Sequence, residues 1–185
     1  MGIALADAGA EYGAAVELVL GPVDILPNNR MVKVVNVTTA ESMANECMER
    51  FPECDIAILS AAVADFTPES VAGSKIKRTG NDLIIKLKPT TDIAAELGRM
   101  KKKEQLLVGF ALETDDELEN AISKLKRKNL DIIVLNSLKE NGAGFGFDTN
   151  RITIIDKNNI IDKFELKSKE EAAKDILNKI VLMMA

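Results

Sequence analysis

The stretch from residue 56 to residue 77 constrains the fold of this chain most strongly. It opens with an apolar run, Ile-Ala-Ile-Leu, and this pattern is typical of a parallel strand buried on both faces. Very small side chains follow at residues 60–62, and an acid follows at Asp65. In open α/β sheets ligands bind beyond the carboxyl ends of the strands, where small residues let a ligand approach the backbone. The stretch therefore predicts a ligand site at a strand end.

Two lysines separated by one apolar residue follow this strand end. Lys75 and Lys77 flank Ile76, and on a strand this alternation puts both ammonium groups on one face. Small residues, an acid and paired lysines together favour an anionic, sugar-bearing ligand. The same residues also fit a plainer interpretation, in which Asp65 is a turn residue and the lysines are solvated charges on an edge strand.

Composition excludes several classes of protein. The 185 residues are enough for one domain with a sizeable core, and the net charge of −5 provides no basic field for nucleic acid. No apolar run reaches membrane-spanning length and no secretory signal is present, so we expect a cytoplasmic protein without a membrane role. Cys47 and Cys54 fit a reducing compartment, and we interpret both as structural residues.

The chain contains no histidine and no tryptophan. The absence of histidine removes His-based triads and the common catalytic zinc sites. The absence of tryptophan and the low aromatic content argue against a stacking platform for single-stranded nucleic acid. An enzyme with this composition works through lysines, carboxylates and backbone amides, and any metal ion it uses is expected to be a hard one.

Strand and helix patterns alternate along the chain. This alternation predicts an α/β fold, a Rossmann-like doubly wound and mostly parallel sheet with helices on both faces. We expect one domain over residues 1–185. A doubly wound fold usually opens with a strand, whereas residues 2–12 predict a helix, so the first strand is expected to be missing from this chain. The predicted elements before the insertion are a helix at 2–12, strands at 16–20, 32–37 and 54–59, and a helix capped by Thr38 or Thr39.

An inserted hairpin is predicted at about residues 75–88. Its strands are 75–78 and 83–88, and Gly80-Asn81 is an acceptable turn between them. A hairpin that interrupts the strand–helix alternation is expected to lie outside the sheet as a flap or a dimer contact.

The second half of the chain returns to the alternation. A helix at 93–103 is predicted with Thr90 or Thr91 as its cap, and a helix from a capping box at Thr114 to residue 129 puts Lys124 and Lys128 on one face. The glycine-rich loop at 142–146 is not the dinucleotide fingerprint, because it does not join a strand directly to a helix. The other predicted elements are strands at 105–110 and 130–135, a hairpin of 151–156 with 160–166, and a closing helix capped by Ser168.

Six segments of this chain form an ordered set of motifs. They are Ser-Ala-Ala-Val-Ala-Asp-Phe at 60–66, Lys-Ile-Lys at 75–77, Pro-Thr-Thr-Asp-Ile at 89–93, Val-Gly-Phe-Ala-Leu-Glu-Thr at 108–114, Lys124 with Lys-Asn-Leu-Asp at 128–131, and Gly-Phe-Gly-Phe-Asp-Thr-Asn at 144–150. Each segment alone is a weak signal, but six in the same order are specific and cover essentially the whole chain. Together they resemble phosphopantothenoylcysteine synthetase, which is usually the C-terminal half of a bifunctional coenzyme A biosynthesis protein in bacteria and archaea.

The resemblance implies a ligase that joins 4'-phosphopantothenate to L-cysteine through an acyl-cytidylate. It implies CTP as co-substrate rather than ATP, a requirement for Mg²⁺, a homodimer formed through the 75–88 hairpin, and fusion to or association with a flavin-dependent decarboxylase domain. The metal ligands are not assigned. The family pattern begins with a strand and a loop that handles phosphopantothenate, and nothing in this sequence matches that loop.

The resemblance also implies site residues. Lys75 matches the essential lysine of the family, Asp65 contacts the nucleotide, and Ala61 and Ala62 line the acyl-nucleotidylate. The nucleotide-binding positions implied in full are Ala61, Ala62, Val63, Asp65, Lys75, Lys88, Pro89, Thr90, Thr91, Phe110, Lys124 and Lys128.

Physical reasoning agrees with this chemistry. Nucleotidyl transfer needs cations where charge builds as pyrophosphate leaves, and three lysines can supply them without histidine. For Lys77, Asn136 and the 142–146 loop, packing or turn roles explain the residues equally well. The alternative function is a nucleotide-binding Rossmann-like module without ligase activity. A nicotinamide dehydrogenase is disfavoured because the glycine fingerprint and the ribose-binding acid are missing.

Overall fold

The computed structural model describes residues 1–78, 80, 82–113, 116–137 and 147–184. The helices in this part of the chain are α1 (Gly2–Glu11), α2 (Ala40–Arg50), α3 (Ile93–Met100), α4 (Glu117–Arg127) and α5 (Lys169–Met184). The strands are β1 (Glu17–Leu20), β2 (Lys33–Asn36), β3 (Ile56–Leu59), β4 (Phe66–Pro68), β5 (Leu87–Pro89), β6 (Leu106–Glu113), β7 (Ile132–Ser137), β8 (Thr149–Asn150), β9 (Ile152–Asp156), β10 (Ile161–Lys163) and β11 (Lys167–Ser168).

The central sheet has the strand order β10-β9-β7-β6-β3. Strands β3, β6 and β7 are parallel, with Leu59 beside Gly109 and Phe110 beside Val134. Strands β9 and β10 add an antiparallel hairpin at one edge. Strands β1 and β2 form a separate two-stranded parallel ladder. The predicted mostly parallel sheet is confirmed, and so is the terminal hairpin.

Side-chain alternation on the central strands builds a core on each face of the sheet. Val108, Val134 and Ile154 pack toward α1 and α5. Leu107 and Ile133 pack on the opposite face, toward α2, α3 and α4. Each fully buried aliphatic side chain of this kind stabilises the fold by about 1.5–3 kcal/mol. The expected helices on both faces are therefore present.

Two predicted helix starts have different outcomes. Thr39 caps α2, where its hydroxyl accepts from the backbone N–H of Ser42 at 3.0 Å. Thr90 and Thr91 do not cap α3, because the cap is Asp92, whose carboxylate accepts from the N–H of Ala95 at 3.1 Å. The Thr90 hydroxyl is used elsewhere, in a bond to the carbonyl of Ala64. The helix also ends earlier than predicted, at Met100.

The closing helix begins as predicted. The Ser168 hydroxyl accepts from the N–H of Glu171 at 3.1 Å, and the Glu171 carboxylate accepts from the N–H of Ser168 at 3.1 Å. For α4, the predicted cap Thr114 lies outside the described residues, and the helix begins at Glu117.

The inserted hairpin differs from its prediction. The paired strands are β4 and β5, with Thr67 beside Lys88, so the ladder lies at the base of the insertion. Residues 75–78 and 82–86 are not in strands. Alternating lysines and apolar residues suit a strand, but no strand of the described residues lies beside these segments to bury their apolar side chains. Ile76, Ile84 and Ile85 are exposed as a result. The segment 69–86 between β4 and β5 is called the excursion below.

No helix within the described residues is long and apolar enough to cross a membrane.

Candidate functional site

The segment that follows β3 lies at the carboxyl edge of the sheet and is lined by small residues. Ala61 and Ala62 are exposed, and Val63 is partly buried against the core beneath α2 and α3. Helix α1 begins beside this segment, since a Cβ added at Gly2 would lie 2.8 Å from the hydroxyl oxygen of Ser60. The backbone at this strand end is therefore open to a ligand.

Two predicted segments meet here through Thr90. Its N–H donates to the carbonyl oxygen of Asp65 at 2.9 Å, and its hydroxyl donates to the carbonyl oxygen of Ala64 at 2.6 Å. In the β4–β5 ladder Pro89 pairs with Phe66, and Lys88 pairs with Thr67. The structure thus brings residues 61–65 and 88–91 together, with Asp65, Lys88 and Thr91 exposed.

Lys128 approaches this cluster from α4. Its ammonium lies 2.9 Å from the carboxylate of Asp92, at the start of α3. Burial alone would raise the pKa of Asp92, but the hydrogen bonds from Lys128 and from the N–H of Ala95 hold that pKa below its usual range. The carboxylate is therefore ionised at neutral pH. A phosphate that binds Lys128 has to share this ammonium with Asp92.

A close helix contact fixes Lys128 in this position. A Cβ added at Gly98 on α3 would collide with the backbone carbonyl of Lys128. The side chain of Asn129, a residue with a φ of 52°, donates to the carbonyl of Gly98 at 2.8 Å. The end of α4 is thus locked against α3 at a glycine. Lys124 lies one turn earlier on α4.

Phe110 lies on the other side of the sheet. It packs partly buried against the core formed with α1 and α5, whereas α4 covers the opposite face. Because Leu59 is level with Gly109, Phe110 is level with Ser60. Phe110 therefore flanks the small-residue strand end from the α1 side.

Lys75 is exposed on the excursion. Among the described residues no hydrogen bond or ion pair joins it to the cluster of residues 61–65, 88–92 and 128. The structure thus brings most of the predicted positions together and leaves Lys75 apart. The loop at 142–146 lies outside the described residues.

Sequence reasoning missed the roles of Asp92 and Gly98. An acid directly before Ile93 is a common helix cap, and that signal was available in the sequence. Nothing local marks Gly98, because its role depends on a contact with a residue thirty positions away. Both cysteines are free thiols, and burial is the largest cause of the raised pKa of each, which agrees with a structural role.

The fold and the strand-end cluster define an α/β protein with a ligand site at the carboxyl edge of a mostly parallel sheet. The chain belongs to the family of DNA/pantothenate metabolism flavoprotein C-terminal domains, whose model matches residues 1–183. This membership confirms the resemblance to the synthetase domain of coenzyme A biosynthesis proteins.

Two curated relatives match almost the whole chain and carry different names. The chain is 43% identical over 183 residues to the coenzyme A biosynthesis bifunctional protein CoaBC of Bacillus subtilis (strain 168), covering 99% of this chain and 45% of that protein. It is 65% identical over 184 residues to a protein of an unknown prokaryotic organism named cysteine/cysteine sulfinic acid decarboxylase, covering 100% of this chain and 51% of that protein. The chain spans about half the length of these curated relatives.

A solved structure matches the fold closely. The crystal structure of the C-terminal domain of CoaBC has a TM-score of 0.83 and 34% sequence identity, covering 99% of this chain and 81% of that one. The DNA/pantothenate metabolism flavoprotein from Streptococcus pneumoniae has a TM-score of 0.81 at 22% identity, covering 97% of this chain and 86% of that one, and supports the fold alone.

Proposed function

We propose that this chain joins 4'-phosphopantothenate to L-cysteine in a CTP- and Mg²⁺-dependent reaction. In the first step a carboxylate oxygen of phosphopantothenate attacks the α-phosphorus of CTP, and pyrophosphate leaves. In the second step the amine of cysteine attacks the acyl carbon, and CMP leaves. The product is 4'-phosphopantothenoylcysteine.

The observation that carries the proposal is the junction at Thr90. Two hydrogen bonds tie the segment after β3 to the turn before α3, and Lys128 brings an ammonium to the same helix start. An exposed, small-residue backbone next to a cation suits a nucleotide, since the backbone can approach the ligand and the cation can approach a phosphate.

The roles of the residues follow from this arrangement. Ala61 and Ala62 line the acyl-nucleotidylate. Val63 and Asp65 contact the nucleotide, and residues 88–91 border the base. Phe110 closes the α1 side of the site. Lys124 and Lys128 approach the triphosphate from α4, and Lys75 completes the cationic set when the excursion folds over bound nucleotide.

A homodimer interface would bury the exposed apolar side chains of the excursion. The described residues on or beside the excursion include seven exposed apolar side chains, and a second copy of the chain can bury them. The exposed apolar residues on or beside the excursion are Phe66, Val71, Ile76, Leu83, Ile84, Ile85 and Leu87.

Magnesium fits this site as a companion of the nucleotide. Among the described residues no group of three or more acidic, cysteine or histidine side chains could hold a metal ion. Mg²⁺ is commonly bound by one or two carboxylates together with substrate phosphates, so a preformed protein cage is not required. When bound, it neutralises charge on the triphosphate.

The relatives' greater length supports a partner domain. Since the chain matches about half of each, the remainder has room for a flavin-dependent decarboxylase, and the name of the 65% identical relative is that of a decarboxylase. We expect such a domain to be fused to or associated with this one, and we expect both to act in the cytoplasm, where free thiols persist.

The test is pyrophosphate release in the presence of CTP, Mg²⁺ and phosphopantothenate, with and without L-cysteine. Turnover that depends on cysteine and prefers CTP to ATP is expected. Lys75→Ala should lower the rate by about 10²–10³-fold, the usual cost of removing one well-placed charge-stabilising donor. Lys103→Ala is the charge-matched control, since Lys103 is exposed and lies at the opposite edge of the sheet.

Calorimetric titration separates the ligase from a binding module. CTP binding without cysteine-dependent turnover would favour the module, and equal rates for Lys75→Ala and Lys103→Ala would remove Lys75 from the site.

A further inference from the structure

Asp92 pairs with Lys128 through both oxygens of its carboxylate. The ammonium nitrogen of Lys128 lies 2.9 Å from Oδ2 and 3.0 Å from Oδ1. Oδ1 also accepts from the N–H of Ala95 at 3.1 Å, and this bond caps α3. The helix start therefore fixes the carboxylate, and the carboxylate in turn fixes the ammonium. The proposed function uses the ammonium and gives the carboxylate no role.

Without this carboxylate the ammonium would lie in an unfavourable place. The N-terminus of a helix carries a partial positive charge, which repels a cation. The side chain of Lys128 is only 21% exposed, so water compensates its charge incompletely. Burial would raise the pKa of Asp92, but Lys128 and Arg127 are both close enough to help lower it, so Arg127 also repels the ammonium. The negative charge of Asp92 opposes these repulsions.

The main chain of Lys128 is fixed independently of Asp92. Its carbonyl lies so close to Gly98 that no Cβ fits there, and Asn129 donates to the carbonyl of Gly98 at 2.8 Å. Removing the carboxylate charge is thus expected to free the end of the Lys128 side chain and to leave its backbone in place. Asp92 therefore determines where the ammonium lies, whereas the glycine contact determines how α3 and α4 pack.

We propose that Asp92 is a positioning residue that holds the Lys128 ammonium at the start of α3, where it binds a phosphate of the nucleotide. This inference rests on the proposed function and deepens its phosphate subsite. An ammonium has three N–H donors, and the two carboxylate oxygens leave at least one of them for a phosphate. The helix start attracts the same anion through its partial positive charge.

The test is a double-mutant cycle in which CTP affinity is measured by calorimetry with Mg²⁺ present. Asp92→Asn keeps a good helix cap but removes the charge, and we expect it to weaken CTP binding by about 3–10-fold. Lys128→Met should weaken binding by about 10-fold or more, the usual effect of losing a hydrogen bond between charged groups. The double variant should bind no more weakly than Lys128→Met, because Asp92 acts through Lys128.

Glu96→Gln is the matched control. Glu96 lies one turn further along α3 and pairs with Arg99 in an exposed ion pair, so this substitution makes the same change of charge on the same helix. Its CTP affinity should stay within about twofold of the wild type, since exposed ion pairs contribute little. A loss as large as that in Asp92→Asn would show that the net charge of α3 is responsible, and would overturn the inference.

Asp92→Glu separates positioning from stability. It keeps the negative charge but is a poorer helix cap, so it should melt at a lower temperature than the wild type and bind CTP within about threefold of it. Asp92→Asn should show the opposite result, with an unchanged melting temperature and weaker CTP binding. If the role of Asp92 were only structural, CTP affinity and melting temperature would fall together in both variants, and the inference would fail.

Acetylation by acetic anhydride gives a readout that needs no nucleotide. In the wild type Lys128 is largely covered and is held against Asp92, so its peptide should be acetylated more slowly than that of the exposed Lys103. In Asp92→Asn the rate at Lys128, followed by mass spectrometry, should rise toward that at Lys103. An unchanged rate would show that Asp92 does not hold the ammonium, and would overturn the inference.

The outcomes separate this inference from the proposed ligase function. CTP affinity in Asp92→Asn that equals or exceeds that of the wild type would overturn the inference and leave the ligase untouched. A further loss when Asp92→Asn is added to Lys128→Met would overturn it too, since Asp92 would then act independently of Lys128. A wild type that binds CTP without cysteine-dependent turnover would refute the ligase, and the same cycle would still decide the inference. A wild type that does not bind CTP would refute the inference.

Discussion

The amino and carboxyl edges of the central sheet differ in how completely their polar side chains are buried and paired. At the amino edge Asp131 is 2% exposed, and its carboxylate accepts from Lys101 at 2.7 Å, from the N–H of Leu107 at 2.9 Å and from Lys157 at 3.0 Å. At the carboxyl edge Asp92 has only Lys128 as an ionic partner in the described part of the chain, and its side chain is half exposed.

The difference extends beyond these two acids. At the amino edge the buried Gln105 side chain donates to the carbonyls of Phe51 and Cys54 and accepts from the N–H of Lys102, so its amide is fully paired. At the carboxyl edge the buried side-chain oxygen of Asn136 accepts no hydrogen bond from the described residues. The polar side chains named at the amino edge therefore stabilise the fold, whereas those named at the carboxyl edge are half exposed or lack a partner among the described residues.

The largest effect is expected at the amino edge. Asp131→Ala leaves the nearly buried Lys101 without a partner and the Leu107 N–H unsatisfied. We expect the free energy of unfolding to fall by about 3–5 kcal/mol, measured by urea denaturation. Asp82→Ala, at an exposed residue of the excursion, should stay within about 0.5 kcal/mol of the wild type. Equal losses in the two variants would contradict the comparison.

Low pH should remove part of the stabilisation that the Asp131 carboxylate provides. Burial alone would raise the pKa of Asp131, but the bonds from Lys101, Leu107 and Lys157 lower it. A carboxyl whose pKa is lowered by folding stabilises the protein above its unfolded pKa of about 4, and this contribution is lost as the pH falls through the folded pKa. The stability gap between wild type and Asp131→Asn should be constant above about pH 5 and should narrow below about pH 4. A stability difference between the two proteins that grows below about pH 4 would contradict a lowered pKa for Asp131.

A smaller loss of stability is expected for a substitution at the contact between α3 and the end of α4. Gly98→Ala forces α3 away from the backbone of Lys128 and should cost about 1–3 kcal/mol. If the chain binds CTP as proposed, the affinity of this variant for CTP should also fall, because Lys128 is displaced. Gly73→Ala is the matched control, because an added Cβ there meets nothing within 4 Å. Thermal melting of the two variants side by side checks this expectation.

The smallest change in the free energy of unfolding is expected for substitutions of Asp92 at the carboxyl edge. Asp92→Asn keeps a helix cap of equal quality and removes only a partly exposed ion pair, so unfolding should change by less than about 0.5 kcal/mol. Asp92→Ala loses the cap as well and should cost about 1 kcal/mol. A loss in Asp92→Asn as large as that in Asp131→Asn would show that the two edges do not differ.

The layered sheet was predictable because its signals are local. Apolar runs such as the one in β7 and caps such as Thr39 depend on residues within one element. The insertion was harder to predict, because Ile84 and Ile85 have the pattern of a strand but pair with no strand in the part of the chain that the structure describes. The candidate site divides in the same way. Motifs predicted Ala61, Asp65 and Lys128 as site residues, whereas the contact between Gly98 and the backbone of Lys128 depends on a neighbour that only the folded chain supplies.

The short β4–β5 ladder has a consequence for how this domain can change over evolutionary time. Its three residue pairs, together with the bond from the N–H of Glu69 to the carbonyl of Lys86, close the excursion at its base. Once the ends of a loop are fixed, doubling its length costs only about 0.6 kcal/mol in closure entropy. Insertions and deletions beyond this ladder should therefore be tolerated by the sheet, so the excursion can diverge in length between relatives while the strand-end geometry beneath it stays the same.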